Sequence, residues 1–206
     1  MIGMKKQHLG MNNEQVEENS FWYWKKEISP EICQKIIDLG KGKWSEAQTG
    51  GPIQNNTSPA NIRKSDIVWV TEQWIFDLIW GYMLSANKNA GWKYNITAVE
   101  SCQITRYTKD GFYTWHKDGM GSHNRIWNEP DNKFLHENTR KLSMSIGLNT
   151  SYKGGNFKMR GVDRGLPKVD EGTIVVFPSF LDHKVTPVTE GTRYSLVSWF
   201  VGTPFK

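Results

Sequence analysis

In the stretch YTWHKDG, spanning residues 113–119, His116 and Asp118 stand two positions apart. On an extended strand, residues i and i+2 leave the same face, so this imidazole and carboxylate can aim at one point while Trp115 and Lys117 turn away. A lone His-x-Asp pair also fits a strand end that binds nothing, so a metal site needs a third ligand from elsewhere. His8 lies in a polar N-terminal stretch, and His123 and His136 lie in a polar loop, where solvated or substrate-facing roles suit them. His183 differs. It follows TIVVFPSFLD, a buried-type strand and turn, and precedes KVTPVTEGTRYSLVSWF, so it opens a strand inside a rigid framework. A buried structural histidine is the competing reading there. Two histidines and one carboxylate make the facial triad that holds non-haem Fe(II) and leaves three positions for a bidentate cosubstrate and dioxygen. Cys33 and Cys102 are the two cysteines, far apart and in no CxxC arrangement, which argues against a thiolate metal site or a disulfide framework.

Arg193 and Ser195 follow His183 on the run RYSLVSWFV and share one strand face. A permanently charged guanidinium fork beside a hydroxyl is what the far carboxylate of a dicarboxylate requires. The alternative is a surface ion pair, which the apolar character of that run disfavours.

These residues need a scaffold, and the periodicity of the chain indicates its type. SPEICQKIIDLGKG predicts a short helix, with Ser29 as cap, Pro30 in the first turn, an isoleucine stripe, and Gly40 or Gly42 ending it. Residues 42–59 have loop composition. From Thr71 to about Ala86, Trp74, Ile75, Leu78, Ile79, Tyr82 and Met83 recur at helical spacing, a stripe suited to packing on a sheet. Beyond Tyr94 the period becomes extended, in TAVESCQITRY, RKLSMSIGLN, GGNFKM, GTIVVFP and RYSLVSWFVG. Helices first and strands after predict an α+β chain, mainly β, whose second half is an antiparallel barrel of the jelly-roll or cupin-like kind. The expected organisation is a flexible segment over residues 1–20 and one domain over 21–206. Within that domain, helical support covers about 21–93 and the jelly-roll core about 94–206. The polar stretch GMGSHNRIWNEPDNKFLHENT directly follows the His-x-Asp pair and is placed to cover what that pair binds.

Composition narrows the class. A hydrophobic share of 37% and an aromatic share of 13%, with ten Trp, fit a packed globule and not a disordered chain. The N-terminal residues contain no apolar run of signal-peptide length and no later stretch approaches a membrane span, so the expectation is a soluble, cytoplasmic protein without a membrane partner. The net charge of +5 is concentrated centrally, where residues 101–168 carry twelve Lys or Arg against six Asp or Glu. That excess suits an anionic small molecule or an acidic partner. It suits nucleic acid less, because no dense basic run interleaves with aromatics.

Taken together, Tyr107, Gly111, Tyr113, His116 and Asp118, then KLSMSIGLN, YKGGNF and GTIVVFPSFLDHKVTPVTEGTRYSLVSWF, resemble a known family. It is the prolyl 4-hydroxylase-like branch of the Fe(II)- and 2-oxoglutarate-dependent dioxygenases, and the resemblance extends over roughly residues 94–202. It implies a double-stranded β-helix with His116, Asp118 and His183 on iron, Arg193 pairing with the 5-carboxylate of 2-oxoglutarate, and Tyr107 lining the cosubstrate pocket. Ser195 joins them from its place beside Arg193. The activity implied is hydroxylation of a C–H bond on a prolyl residue of a peptide or protein, with release of succinate and CO2 and with ascorbate as reductant. Two alternatives stand beside it: the same chemistry on a small metabolite or nucleobase, and a non-catalytic cupin-like module that binds a metal or ligand. The chain departs from many relatives in having Asn156 after the paired glycines where they carry an acidic residue. Some relatives also supply a second tyrosine to the cosubstrate where KLSMSIGLN offers Ser143 and Ser145.

Overall fold

The computed structural model describes residues 19–47, 59–119, 126–162 and 165–205. In chain order the first part comprises β1 (Trp22–Trp24), α1 (Pro30–Leu39), β2 (Ser45–Glu46), α2 (Pro59–Ile62), β3 (Arg63–Lys64), β4 (Asp66–Val70) and α3 (Gln73–Asn89). Then follow β5 (Ala98–Val99), β6 (Cys102–Tyr107), β7 (Phe112–His116), β8 (Thr139–Gly147), β9 (Tyr152–Gly154) and β10 (Phe157–Met159). The chain closes with β11 (Ile174–Pro178), β12 (His183–Val185), β13 (Val188–Gly191) and β14 (Arg193–Gly202). The larger sheet runs β1-β11-β8-β14-β6-β4-β2, with β5 also on β14, and the smaller runs β10-β12-β7-β3. The paired strands are antiparallel, and β13 with β9 forms a separate ribbon. This is the mainly β, jelly-roll architecture expected.

The larger sheet has two faces of different chemistry, set by the period-2 alternation of its strands. Cys102 and Ile104 of β6, Leu142, Met144 and Ile146 of β8, Ile174 and Val176 of β11, and Leu196 and Phe200 of β14 form one hydrophobic core with α1 and α3. The intervening residues, among them Gln103, Thr105, Ser145, Arg193 and Ser195, line a cavity on the other face. In most half-exposed sheets the polar positions meet water. Here both faces are covered, and the polar one becomes the interior of a site.

The helices form for the reasons the sequence gives. Ser29 accepts a hydrogen bond from the Ile32 N–H at 3.4 Å, Pro30 opens α1, and Cys33 and Ile36 are its buried positions. In α3, Ile75, Ile79, Met83 and Ala86 are buried at spacings of four and three, and Trp74, Leu78 and Tyr82 pack at the edge of the same core. Each large apolar side chain so buried contributes about 2 kcal/mol. The helix continues past Ala86 to Asn89.

The N-terminal third departs from the expected helical support. Besides α1, α2 and α3 it supplies four strands: β1 extends the larger sheet beside β11, β4 pairs with β6, β2 pairs with β4, and β3 closes the smaller sheet on β7. These strands have two to five residues, too few to show a period in the sequence, and they form because a long partner is already there to pair with. Residues 1–18 of the segment expected to be flexible lie outside the described residues. Asn19 is held: its N–H donates to Ala90 O at 3.3 Å and its carbonyl accepts from Trp92 Nε1 at 2.6 Å. Among the described residues, no helix is long and apolar enough to cross a membrane.

Candidate active site

Strands β7 and β12 are hydrogen-bonded neighbours with His116 opposite His183, which brings together two histidines remote in sequence. Each ring is oriented by a carbonyl two residues earlier. His116 Nδ1 lies 2.8 Å from Thr114 O, and His183 Nδ1 lies 2.9 Å from Leu181 O. A carbonyl only accepts, so each Nδ1 carries the proton and each Nε2 keeps its lone pair for a metal. Asp118 follows the end of β7, its N–H donating to Ser179 O at 3.0 Å. Its Oδ1 stands 4.0 Å from His116 Nε2 and its Oδ2 3.7 Å from His183 Nε2. One ligand atom from each of the three residues lies within 4.8 Å of the others, so a single ion fits among them.

The electrostatics keep this donor set ready for a cation. Burial, followed by the neighbouring His183, pushes the pKa of His116 down to about 3, so its imidazole is neutral over the working range. Burial alone would raise the pKa of Asp118. His183, His116, Arg140 and the Ser143 hydrogen bond outweigh that effect and hold it below the usual carboxylate value. Ser143 Oγ donates to Asp118 Oδ2 at 2.6 Å and is 2.9 Å from Ser179 Oγ. One of the two serines that this run offers where some relatives supply a tyrosine to the cosubstrate thus orients the carboxylate. Ser145 lines the cavity.

Deeper in the same cavity, Arg193 is 1% exposed. Its Nη1 donates to Ser195 Oγ at 3.0 Å, and its guanidinium carbon lies 5.5 Å from the ring of Tyr107, its cross-strand partner on β6. Its Nε and Nη2 are buried and have no partner among the described residues. Buried N–H donors on a permanent cation cost several kcal/mol when unpaired, so this group calls for an anion of matching geometry. The six residues singled out in the sequence, His116, Asp118, His183, Arg193, Tyr107 and Ser195, therefore line one cavity.

Several residues at the site were not singled out. Arg63 of β3 donates to Ser65 Oγ and to Gln103 Oε1, both at 2.8 Å, and lies 4.7 Å from the ring of Tyr113, which stacks on His116 at 3.4 Å between centroids. Trp199 of β14 lines both the cavity and a wider groove of about 760 Å³ at its mouth, with Trp69, Trp127 and Arg140. Counting in twos from Arg193 reaches Trp199, so strand alternation could have found it; nothing in the sequence around Arg63 could. Of the polar loop after the His-x-Asp pair, residues 120–125, including His123, lie outside the described residues. Trp127 borders the mouth, and its N–H and carbonyl are bonded to Asn138 O and Glu137 N at 2.9 Å. His136 is not part of the metal-sized group.

Residues 102–201, which contain every one of these six, match the model of the 2OG-Fe(II) oxygenase superfamily. Over these 100 of its 206 residues the chain is similar to this superfamily. A PKHD-type hydroxylase of Alteromonas mediterranea is 30% identical over 97 residues, which is 47% of this chain and 41% of that protein; the chain thus spans less than half the length of that curated relative. Among solved structures, a Pseudomonas putida prolyl-4-hydroxylase superposes with a TM-score of 0.62 at 20% identity, covering 88% of this chain and 91% of that one. A prolyl hydroxylase from Trichoplax adhaerens, in complex with a hypoxia inducible factor oxygen degradation domain peptide fragment, gives 0.64 at 19%, covering 88% and 83%. At such identities these two structures establish the shared fold. Iron(II) and 2-oxoglutarate are the metal and cosubstrate for which this oxygenase superfamily is named, and the residues fit both. Two imidazoles and a carboxylate suit Fe(II), and the unpartnered edge of Arg193 suits a carboxylate.

Proposed function

We propose that this chain is an oxygenase that hydroxylates a C–H bond of a prolyl residue in a peptide or protein, using Fe(II) and 2-oxoglutarate and releasing succinate and CO2. The observation that carries the reading is the buried edge of Arg193, whose Nε and Nη2 have no partner among the described residues, on a side chain that lines the same cavity as His116, Asp118 and His183. A module that merely bound a metal would have no use for an unpaired cation there. In this reading His116 Nε2, His183 Nε2 and Asp118 hold the iron, which supplies with 2-oxoglutarate the oxidising power for hydroxylation. Arg193 and Ser195 fix the far carboxylate of the cosubstrate by a charge-assisted fork, with Tyr107 packed beside it. Phe157, Phe177, Val185 and Val197 wall the cavity and keep water from the reacting atoms. The prolyl substrate is favoured by the hydroxylase relatives and by a mouth bordered by Trp69, Trp127 and Trp199, whose faces suit a pyrrolidine ring. Ascorbate serves as the reductant that keeps the iron ferrous, and the two free, buried cysteines fit a reducing cytoplasm.

The test is succinate formation from 2-oxoglutarate with Fe(II) and ascorbate, in the presence of proline-containing peptides, free metabolites or oligonucleotides. Stimulation by the peptides is expected, with loss of all turnover in His116→Ala and His183→Ala. Unchanged turnover in either variant would refute the triad, and stimulation by metabolites or oligonucleotides alone would reassign the substrate. Arg193→Ala should weaken 2-oxoglutarate binding while leaving metal affinity near its original value.

A further inference from the structure

The outer face of the smaller sheet carries a different chemistry from the cavity behind it. Phe157 and His183 line the cavity, while Lys158 and Lys184, directly opposed across β10 and β12, line a separate groove of about 650 Å³. On the neighbouring strand β7, the Trp115 ring is faced by Lys184 Nζ at 4.6 Å and by Arg160 at 4.9 Å. Lys168 enters the far side of the groove, 5.5 Å from the Tyr152 ring. Arg160 pairs with Asp182 at 3.3 Å and Lys168 with Asp170 at 3.9 Å. Among the described residues, Lys158 and Lys184 have no carboxylate partner. Like charges placed directly opposite on adjacent strands oppose folding, so this pair is a cost that folding alone does not explain.

Trp115 borders both this groove and the mouth of the candidate active site, so the two surfaces meet at its indole. We propose that the basic groove docks an acidic segment of the polypeptide whose target residue is presented at the mouth. The proposal rests on the peptide reading of the preceding section. Charge complementarity selects the occupant: Lys158 and Lys184, which have no carboxylate partner among the described residues, attract carboxylates, while Asp182 and Asp170 already pair with Arg160 and Lys168. A peptide can carry a few carboxylates to these two lysines, whereas a phosphodiester strand, charged at every nucleotide, would find Arg160 and Lys168 already paired with Asp182 and Asp170.

Two measurements on the full chain separate this proposal from the one beneath it. The first is fluorescence anisotropy with a labelled glutamate-rich peptide that contains no proline. Binding should weaken with added salt and fall about tenfold in Lys158→Glu. The same substitution should raise the melting temperature, because it sets opposite charges across β10 and β12. Failure of the peptide to bind, unchanged binding in Lys158→Glu, or tighter binding of an oligonucleotide of equal charge would overturn the docking surface. The second is turnover of proline peptides with acidic or neutral flanks. Lys158→Glu should raise KM for the acidic-flanked peptide about tenfold, leaving its kcat and the neutral peptide unchanged. Equal handling of both flanks by both proteins would remove the docking surface and leave the prolyl reading intact. Binding of the acidic peptide, weakened by Lys158→Glu, with no proline peptide turned over would do the reverse.

Discussion

His116 and His183 each have a proton fixed on Nδ1 by a backbone carbonyl, and Asp118 is held by the Ser143 hydroxyl, so the geometry of the proposed ligands is set before a metal arrives. Removing a group that orients a ligand typically lowers metal affinity 10- to 100-fold. Ser143→Ala should therefore weaken Mn(II) or Fe(II) binding by about that factor in calorimetric titration while the fold persists; unaltered affinity would show that Ser143 only fills space. Protonation gives a second residue-scale prediction. The folded apoprotein holds His116 down to about 3 and Asp118 below its usual value, so the unfolded chain binds more protons as pH falls from about 6.5 towards 3. Stability from these groups is fully present above about pH 6.5 and is lost as pH falls through the folded values. Melting curves of the apoprotein should show this loss, and His116→Gln should flatten it; an equal slope in the variant would assign the acid sensitivity elsewhere.

The element that bears most on Arg193, the residue proposed to hold the cosubstrate, is the turn joining β9 to β10. Gly155 there has φ +58°, and a Cβ at that position would meet Arg193 Cδ and Val188 Cγ2 at 3.0 Å. Gly155→Ala thus combines a left-handed backbone, costing about 1–2 kcal/mol, with pressure on the guanidinium stem. We expect a lower melting temperature and weaker 2-oxoglutarate binding with metal affinity retained; parallel losses of both affinities would instead indicate general unfolding. The paired glycines were visible in the sequence as a motif. Their reason was not, because Arg193 comes from a strand far along the chain. Likewise RKLSMSIGLN was legible as an extended run, but whether the polar face of β8 met water or a cavity depended on the smaller sheet lying over it.

At the scale of the whole molecule, the larger sheet is covered on one side by α1 and α3, and the smaller sheet brings its two histidines to the other. The site is therefore a product of folding, and a metal that binds there stabilises the folded state alone. At about 100 times its dissociation constant, one ion adds about 2.7 kcal/mol. In a chain of this size that is roughly 5–10 °C in Tm. A chelator should remove this increment from wild-type protein and have no effect on His183→Ala. An equal response in that variant would place the metal elsewhere.

The sequence by itself determined the kinds of donor available, their order along the chain and the faces of the strands that carry them. These are properties of residue type and of the period of two, which are local. That His116 and His183 face each other, that Ser143 serves the carboxylate, that Arg63 reaches Gln103 and that Lys158 opposes Lys184 were decided by strand pairing. Pairing joins residues tens of positions apart through backbone hydrogen bonds that carry no mark of side-chain identity. Only the assembled sheets, with their registers fixed by cores on both sides, could turn a His-x-Asp pair into a site for a metal.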